Sequence, residues 1–304
     1  MTGIAGAPGP PRAALARASG LVAFSACCFG SIPIFVSLGI GAGATLLTLL
    51  TWRYAIGAAL LVGIGGGPVA MRLPRARWLP LLLVGGVGQA LVAGVSLSAL
   101  RYIPAATLSF LFYTYPAWVA VFAAVRRTEP ITTRRLLALG LSFGGIALMV
   151  GSPWSAPMHP IGVGLALASA LLYAMYVPAI GRLQHDIAPP VSAAYISVGA
   201  FVVLLALAAG PGVVTVRLAP IAWMAVIGLG LLSTAIGFIA FLRGLRVLGP
   251  VRTAIISTVE PFWTALMGSL VLAQALTAST LAGGLLIGGA VVILQLPARA
   301  RASA

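Results

Sequence analysis

The sequence predicts an all-α membrane protein: ten transmembrane helices arranged as two inverted five-helix repeats, with both termini on the cytoplasmic side. Three observations carry that expectation. The chain is 61% hydrophobic and only 7% charged, whereas soluble domains carry about 25% charged residues. Sliding the sequence by 145 positions places Trp78 on Trp223, Leu100-Arg101 on Leu245-Arg246, Pro116 on Pro261, Trp118 on Trp263, Thr132 on Thr277 and Gly144 on Gly289 without a gap. All 18 basic residues are Arg, and nearly all lie in short connections between apolar runs.

Ten runs have roughly the 17 to 25 residues that cross a bilayer as a helix: 19–40, 44–64, 78–99, 104–125, 134–151, 161–181, 190–209, 218–242, 250–273 and 278–296. Residues 1–18, rich in Gly, Pro and Ala, read as a disordered cytoplasmic tail. Residues 19–151 and 152–297 form the two repeats, and 298–304 a second cytoplasmic tail. Counting Arg on alternate faces puts 15 on one side and only Arg101 and Arg217 on the other. The basic side faces the cytoplasm, which places the chain in a bacterial inner membrane. Because each repeat holds an odd number of spans, equivalent helices cross in opposite directions. That architecture gives alternating access.

A net charge of +15 raises the question of nucleic acid. The placement of the Arg in loops answers it: the charge sets orientation, and no nucleic-acid partner is expected. Cys27 and Cys28 are adjacent in an apolar run, which fits buried thiols and provides neither a disulfide framework nor metal-ligand spacing. No cofactor or metal is expected. The two His and three acids form no metal cluster, nucleophile pair or carboxylate pair, so the chain is not read as an enzyme.

Glu260 is the only carboxylate inside a predicted span. Intramembrane charge costs about 2.5 to 3.5 kcal/mol on insertion scales, so it should face a cavity or a partner. Thr253, Ser257, Glu260 and Thr264 follow at spacings of four, three and four, one polar helix face. Pro261 cannot donate to the Ser257 carbonyl, and Pro116 stands at the matching position; both are expected to kink their helices and serve gating. Arg53, between Trp52 and Tyr54 in the second span, has the donor geometry for a carboxylate. It also suits a permanent pair with Glu260.

Phe112, Tyr115, Trp118 and Phe122 make an aromatic stripe opposite that polar one, and Trp263 follows Glu260 in the ninth span. Gln89, Ser96, Ser233 and Thr234 add neutral hydrogen-bonding groups, with Tyr173, Tyr176 and Tyr195 as further candidates. A cavity with one aromatic and one polar wall suits an amphipathic solute, and that composition favours amino acids over sugars or ions. Gly140 with Gly144, and Gly284 with Gly288, give the last helix of each half a small-residue face, for packing first and a dimer second. The partners expected are thus a small solute and the bilayer, around a monomer or dimer.

The five-helix halves, the Pro116 and Pro261 helices and the closing helices with Gly144-Gly145 and Gly288-Gly289 resemble the EamA-type branch of the drug/metabolite transporter superfamily. Within it, the chain is most similar to the YddG-like exporters of aromatic and other neutral amino acids. Glu129 before Ile131-Thr132 fits a family pattern from which Gln274 departs, and it receives no catalytic role. The resemblance implies export of neutral amino acids and related metabolites. The alternatives are a multidrug or cationic-metabolite exporter of the same superfamily, a channel, or an intramembrane enzyme.

Overall fold

The computed structural model describes residues 11–99, 101–103, 105–129, 131–151, 159–208 and 214–295. Among the described residues every regular element is a helix, and no strand is present. Among the described residues nine helical stretches are long and apolar enough to cross a membrane. In the one that runs Pro220–Ile256, the chain leaves helical geometry at Gly249, with φ at 74°.

The first stretch comprises α1 (Arg12–Gly30) and α2 (Ile32–Gly41). It starts seven positions before the expected 19, because Pro11 precedes a first turn of Arg and Ala, which are strong helix formers. The tail expected over 1–18 therefore yields its last part to a helix, and residues 1–10 lie outside the described residues. The break at Ser31 follows from Pro33, which has no N–H to donate back into the first helix.

The first half continues with α3 (Leu46–Ile64), the short α4 (Gly67–Ala70) and α5 (Arg75–Pro80). A π-helical segment, Leu81–Val87, runs into α6 (Gly88–Ala99). The next span is broken into α7 (Ala105–Phe112) and α8 (Tyr115–Val125), and α9 (Thr133–Val150) closes the half. The second half repeats the theme: α10 (Pro160–Leu183), α11 (Pro189–Leu207) and α12 (Pro220–Gly228) lead to a second π-helical segment, Leu229–Ile236. After it come α13 (Gly237–Ile256), α14 (Val259–Leu272) and α15 (Ala278–Gln295).

The break between α13 and α14 falls at Ser257-Thr258, as the break between α7 and α8 falls at Tyr113-Thr114. In both cases a proline, Pro261 or Pro116, follows within the first turn of the new helix. The freed carbonyl expected at Ser257 is not free: it accepts from the Glu260 N–H at 3.0 Å, because the break tightens the turn there.

Packing follows the same repeat. The closing helices α9 and α15 lie against each other, α3 lies against α11, and α11 sits on the first π segment as α3 sits on the second. The close approach of α9 and α15 is not made by the small faces expected from the sequence. Gly140 and Gly288 have open space where a Cβ would go, whereas a Cβ on Gly145 would stand 2.6 Å from the Gly283 carbonyl. The contact is thus one position away from the i, i+4 pattern that spacing suggested.

At the Arg-bearing end, Glu129 links the two halves. Its Oε2 lies 2.7 Å from Arg135, and its Oε1 accepts from the Val251 N–H at 3.4 Å. Gly249, left-handed and beside that carboxylate, admits no side chain there: a Cβ would meet Oε1 at 2.8 Å.

Candidate functional site

At the breaks the helices enclose a cavity of about 220 Å³. Eight residues singled out from the sequence line it: Arg53, Gln89, Ser96, Phe112, Tyr115, Tyr173, Tyr176 and Glu260. They arrive from six helices of both halves, so the cavity exists only in the assembled bundle.

Arg53 is held rather than free. Its side chain is 5% exposed, its guanidinium lies 4.9 Å from the Tyr54 ring centre, and its Nε donates to the Thr234 hydroxyl at 2.9 Å. Gly57, one turn on, permits that bond, since a Cβ there would stand 2.6 Å from the Cβ of Thr234. Arg53 nevertheless lines the cavity. No ion pair within 4.0 Å joins Arg53 to Glu260, so the permanent pairing weighed from the sequence is not formed. A buried cation and a carboxylate thus share one cavity, each with capacity for another partner.

Glu260 lies in the first turn of α14, where the Tyr113 hydroxyl and the Arg53 charge are close enough to act on its carboxyl. Tyr113 was not legible as a site residue. Two positions before Tyr115, it belongs on the far side of a continuous helix; the break at Tyr113-Thr114 turns it toward Glu260.

The aromatic wall is continuous. Tyr115 meets Tyr173 edge-on at 4.8 Å, Phe112 lies 5.5 Å from Tyr173, and Tyr173 stacks on Tyr176 at 5.9 Å. Phe29 extends it by packing on Phe238 at 5.5 Å and Phe241 at 6.0 Å, a cluster absent from the sequence reading. It lies in otherwise unremarked apolar stretches, where an aromatic gives no sign of facing a cavity.

Several expected residues do not line the cavity, Phe122 among them. Trp118 is 38% exposed. Trp263 donates through Nε1 to the Ser31 hydroxyl at 2.9 Å, and Thr264 donates to the Gly30 carbonyl at 2.8 Å, fastening α14 to the break in the first span. Ser233 donates to the Cys28 carbonyl at 2.9 Å, and Thr234 holds Arg53. Ser257 is buried at the break, where it meets Tyr115. Tyr195 also lies outside, donating to the Met71 carbonyl.

Among the described residues no group of three His, Cys, Asp or Glu could hold a metal. The arrangement offers binding chemistry: a fork for an anion, a carboxylate for a cation and rings for an apolar body.

Comparison with known proteins decides the family. The EamA-like transporter family matches residues 17–151 and again 160–296. The chain belongs to the EamA-like transporter family. It is 31% identical to the uncharacterized inner membrane transporter YicL of Salmonella typhimurium over 74% of this chain and 76% of that one. It is 24% identical to the uncharacterized transporter YvbV of Bacillus subtilis over 83% of each. A probable terminal-alkyne amino-acid exporter of Streptantibioticus cattleyicolor is 29% identical over 60% of this chain and 62% of its own length. A crystal structure 19% identical in sequence superposes with a TM-score of 0.75, covering 91% of this chain and 96% of the other, and so shares the fold. This EamA-like chain is therefore a multi-pass membrane protein whose relatives are named transporters.

Proposed function

We propose that this EamA-like protein exports neutral amino acids with aromatic or apolar side chains by alternating access. Ten spans, as two inverted halves with both termini in the cytoplasm, enclose the central cavity, and its lining residues take the solute. Arg53 receives the α-carboxylate, Glu260 the ammonium group, and the Phe112, Tyr115 and Tyr173 rings the side chain. Gln89 and Ser96 offer neutral hydrogen bonds. Pro116 and Pro261 fix the helix breaks about which the walls exchange.

The observation that carries the reading is that Arg53 and Glu260 line one cavity without pairing with each other. A zwitterion satisfies both; a simple cation leaves a desolvated guanidinium opposite it. The cavity, at about 220 Å³, also lies below the roughly 300 to 1,000 Å³ of drug-sized sites, which weighs against the multidrug reading. The probable terminal-alkyne amino-acid exporter among the relatives supports an amino-acid substrate.

The test is uptake of labelled Phe, Trp, Met and Thr into vesicles containing the purified protein, with a quaternary-ammonium dye in parallel. Saturable movement of Phe or Trp without dye movement supports the reading. Dye movement with no amino-acid uptake moves the protein to the multidrug class.

A further inference from the structure

A second hollow, about 520 Å³, lies between α8 and α10 beside the α13 break, and shares no lining residue with the central cavity. Its walls are apolar over most of their length: Val119 and Phe122 from α8 face Met175 and Pro178 from α10. Met175 is 46% exposed, so this wall continues onto the outer surface of the bundle.

Charge enters only at one end, and there the accounting is one-sided. Arg126 and Arg182 line the hollow and are exposed, and no protein partner holds either guanidinium among the described residues. The other charged groups that line the hollow are occupied. Glu129 is bonded to Arg135, and Arg246 donates to the Gln184 carbonyl at 2.8 Å and to that of Ile187. His185, the remaining titratable group there, lies 2.9 Å from Asp186. An amino acid would find a carboxylate receptor here but no free acid for its ammonium group. An anion with a long apolar body finds both its requirements.

We propose that this groove holds one anionic phospholipid, with an acyl chain along Phe122, Met175 and Pro178 and its phosphate between Arg126 and Arg182. Guanidinium groups recognise phosphate through paired, charge-assisted hydrogen bonds. Basic pockets between spanning helices are where acidic headgroups bind. The lipid fills the gap between α8 and α10, two helices that also supply Tyr115 and Tyr173 to the central cavity, and so supports the aromatic wall from behind.

The test uses the full-length protein in neutral detergent, with thermal unfolding and native mass spectrometry during titration with phosphatidylglycerol, phosphatidylcholine or inorganic phosphate. Phosphatidylglycerol is expected to raise the unfolding temperature by several degrees more than phosphatidylcholine and to remain bound as one copy. Arg126→Gln/Arg182→Gln should lose that difference, with retention weakened at least about tenfold. Met175→Trp, an exposed substitution that fills the groove and spares both arginines, should also displace the lipid, which keeps the test open if the double variant folds poorly. Equal shifts from both lipids, protection by inorganic phosphate alone, or an undiminished phosphatidylglycerol shift in both variants would overturn the assignment.

Discussion

The Nε of Arg53 donates to the hydroxyl of Thr234 across 2.9 Å, and this bond sets where the guanidinium fork points. Thr234 lies in the second π-helical segment and itself donates to the Leu229 carbonyl at 3.2 Å, so the Arg53 anchor depends on the widened helix turn around it. Thr234→Val removes a buried partner of a charged donor, a loss of about 1.5 to 3 kcal/mol. The expected outcome is a lower unfolding temperature and weaker amino-acid binding, with both largely retained in Thr234→Ser. Calorimetry and ligand titration on the two variants check it.

Glu260→Gln keeps the shape of the cavity wall and removes the charge opposite Arg53. Losing one charge-assisted contact to a bound ammonium weakens binding by roughly 10- to 150-fold. Phe affinity should fall by that order in equilibrium dialysis. Affinity for 3-phenylpropionate, which has no ammonium group, should hold or rise.

The closing helices give a contrast within one element pair. Gly145→Val sets a branched side chain against the Gly283 carbonyl and should destabilise by about 1 to 3 kcal/mol. Gly140→Ala and Gly288→Ala meet open space and should be neutral or stabilising, by up to about 1 kcal/mol from helix propensity. Unfolding temperatures of the three variants should separate accordingly.

Gly249→Ala should be costly for two reasons at one position. An alanine there holds an unfavourable positive φ, and its methyl presses on the Glu129 carboxylate. The expected result is destabilisation above about 1 kcal/mol, together with loosening of the link between Val251 and Glu129. Hydrogen exchange of the Val251 amide reads that link directly.

The all-helical, two-repeat architecture was legible because composition and the 145-residue repeat each constrain the whole chain, and no local detail can reverse them. Glu260 and Arg53 were legible because a charge in an apolar run is conspicuous wherever its side chain points. Residue-level placement failed where helices break. Periodicity aligns Thr264 with Glu260 correctly within α14, but it does not show what the neighbouring first span places against that face. The break at Ser31 gives Thr264 the Gly30 carbonyl and gives Trp263 the Ser31 hydroxyl. The assumption of one continuous helix hid Tyr113 and gave Trp118 a wall it does not line. Ser233 and Thr234 lie in a π segment, whose register cannot be read at 3.6 residues per turn.

The most direct test of the central claim is equilibrium binding of Phe beside its two truncated analogues, phenethylamine and 3-phenylpropionate, to the purified protein and to its Arg53→Ala and Glu260→Gln variants. A two-ended site binds Phe at least about tenfold more tightly than either analogue. Arg53→Ala then abolishes the preference over phenethylamine, and Glu260→Gln the preference over 3-phenylpropionate. Phenethylamine binding as tightly as Phe to the native protein, unaffected by Arg53→Ala, would contradict it.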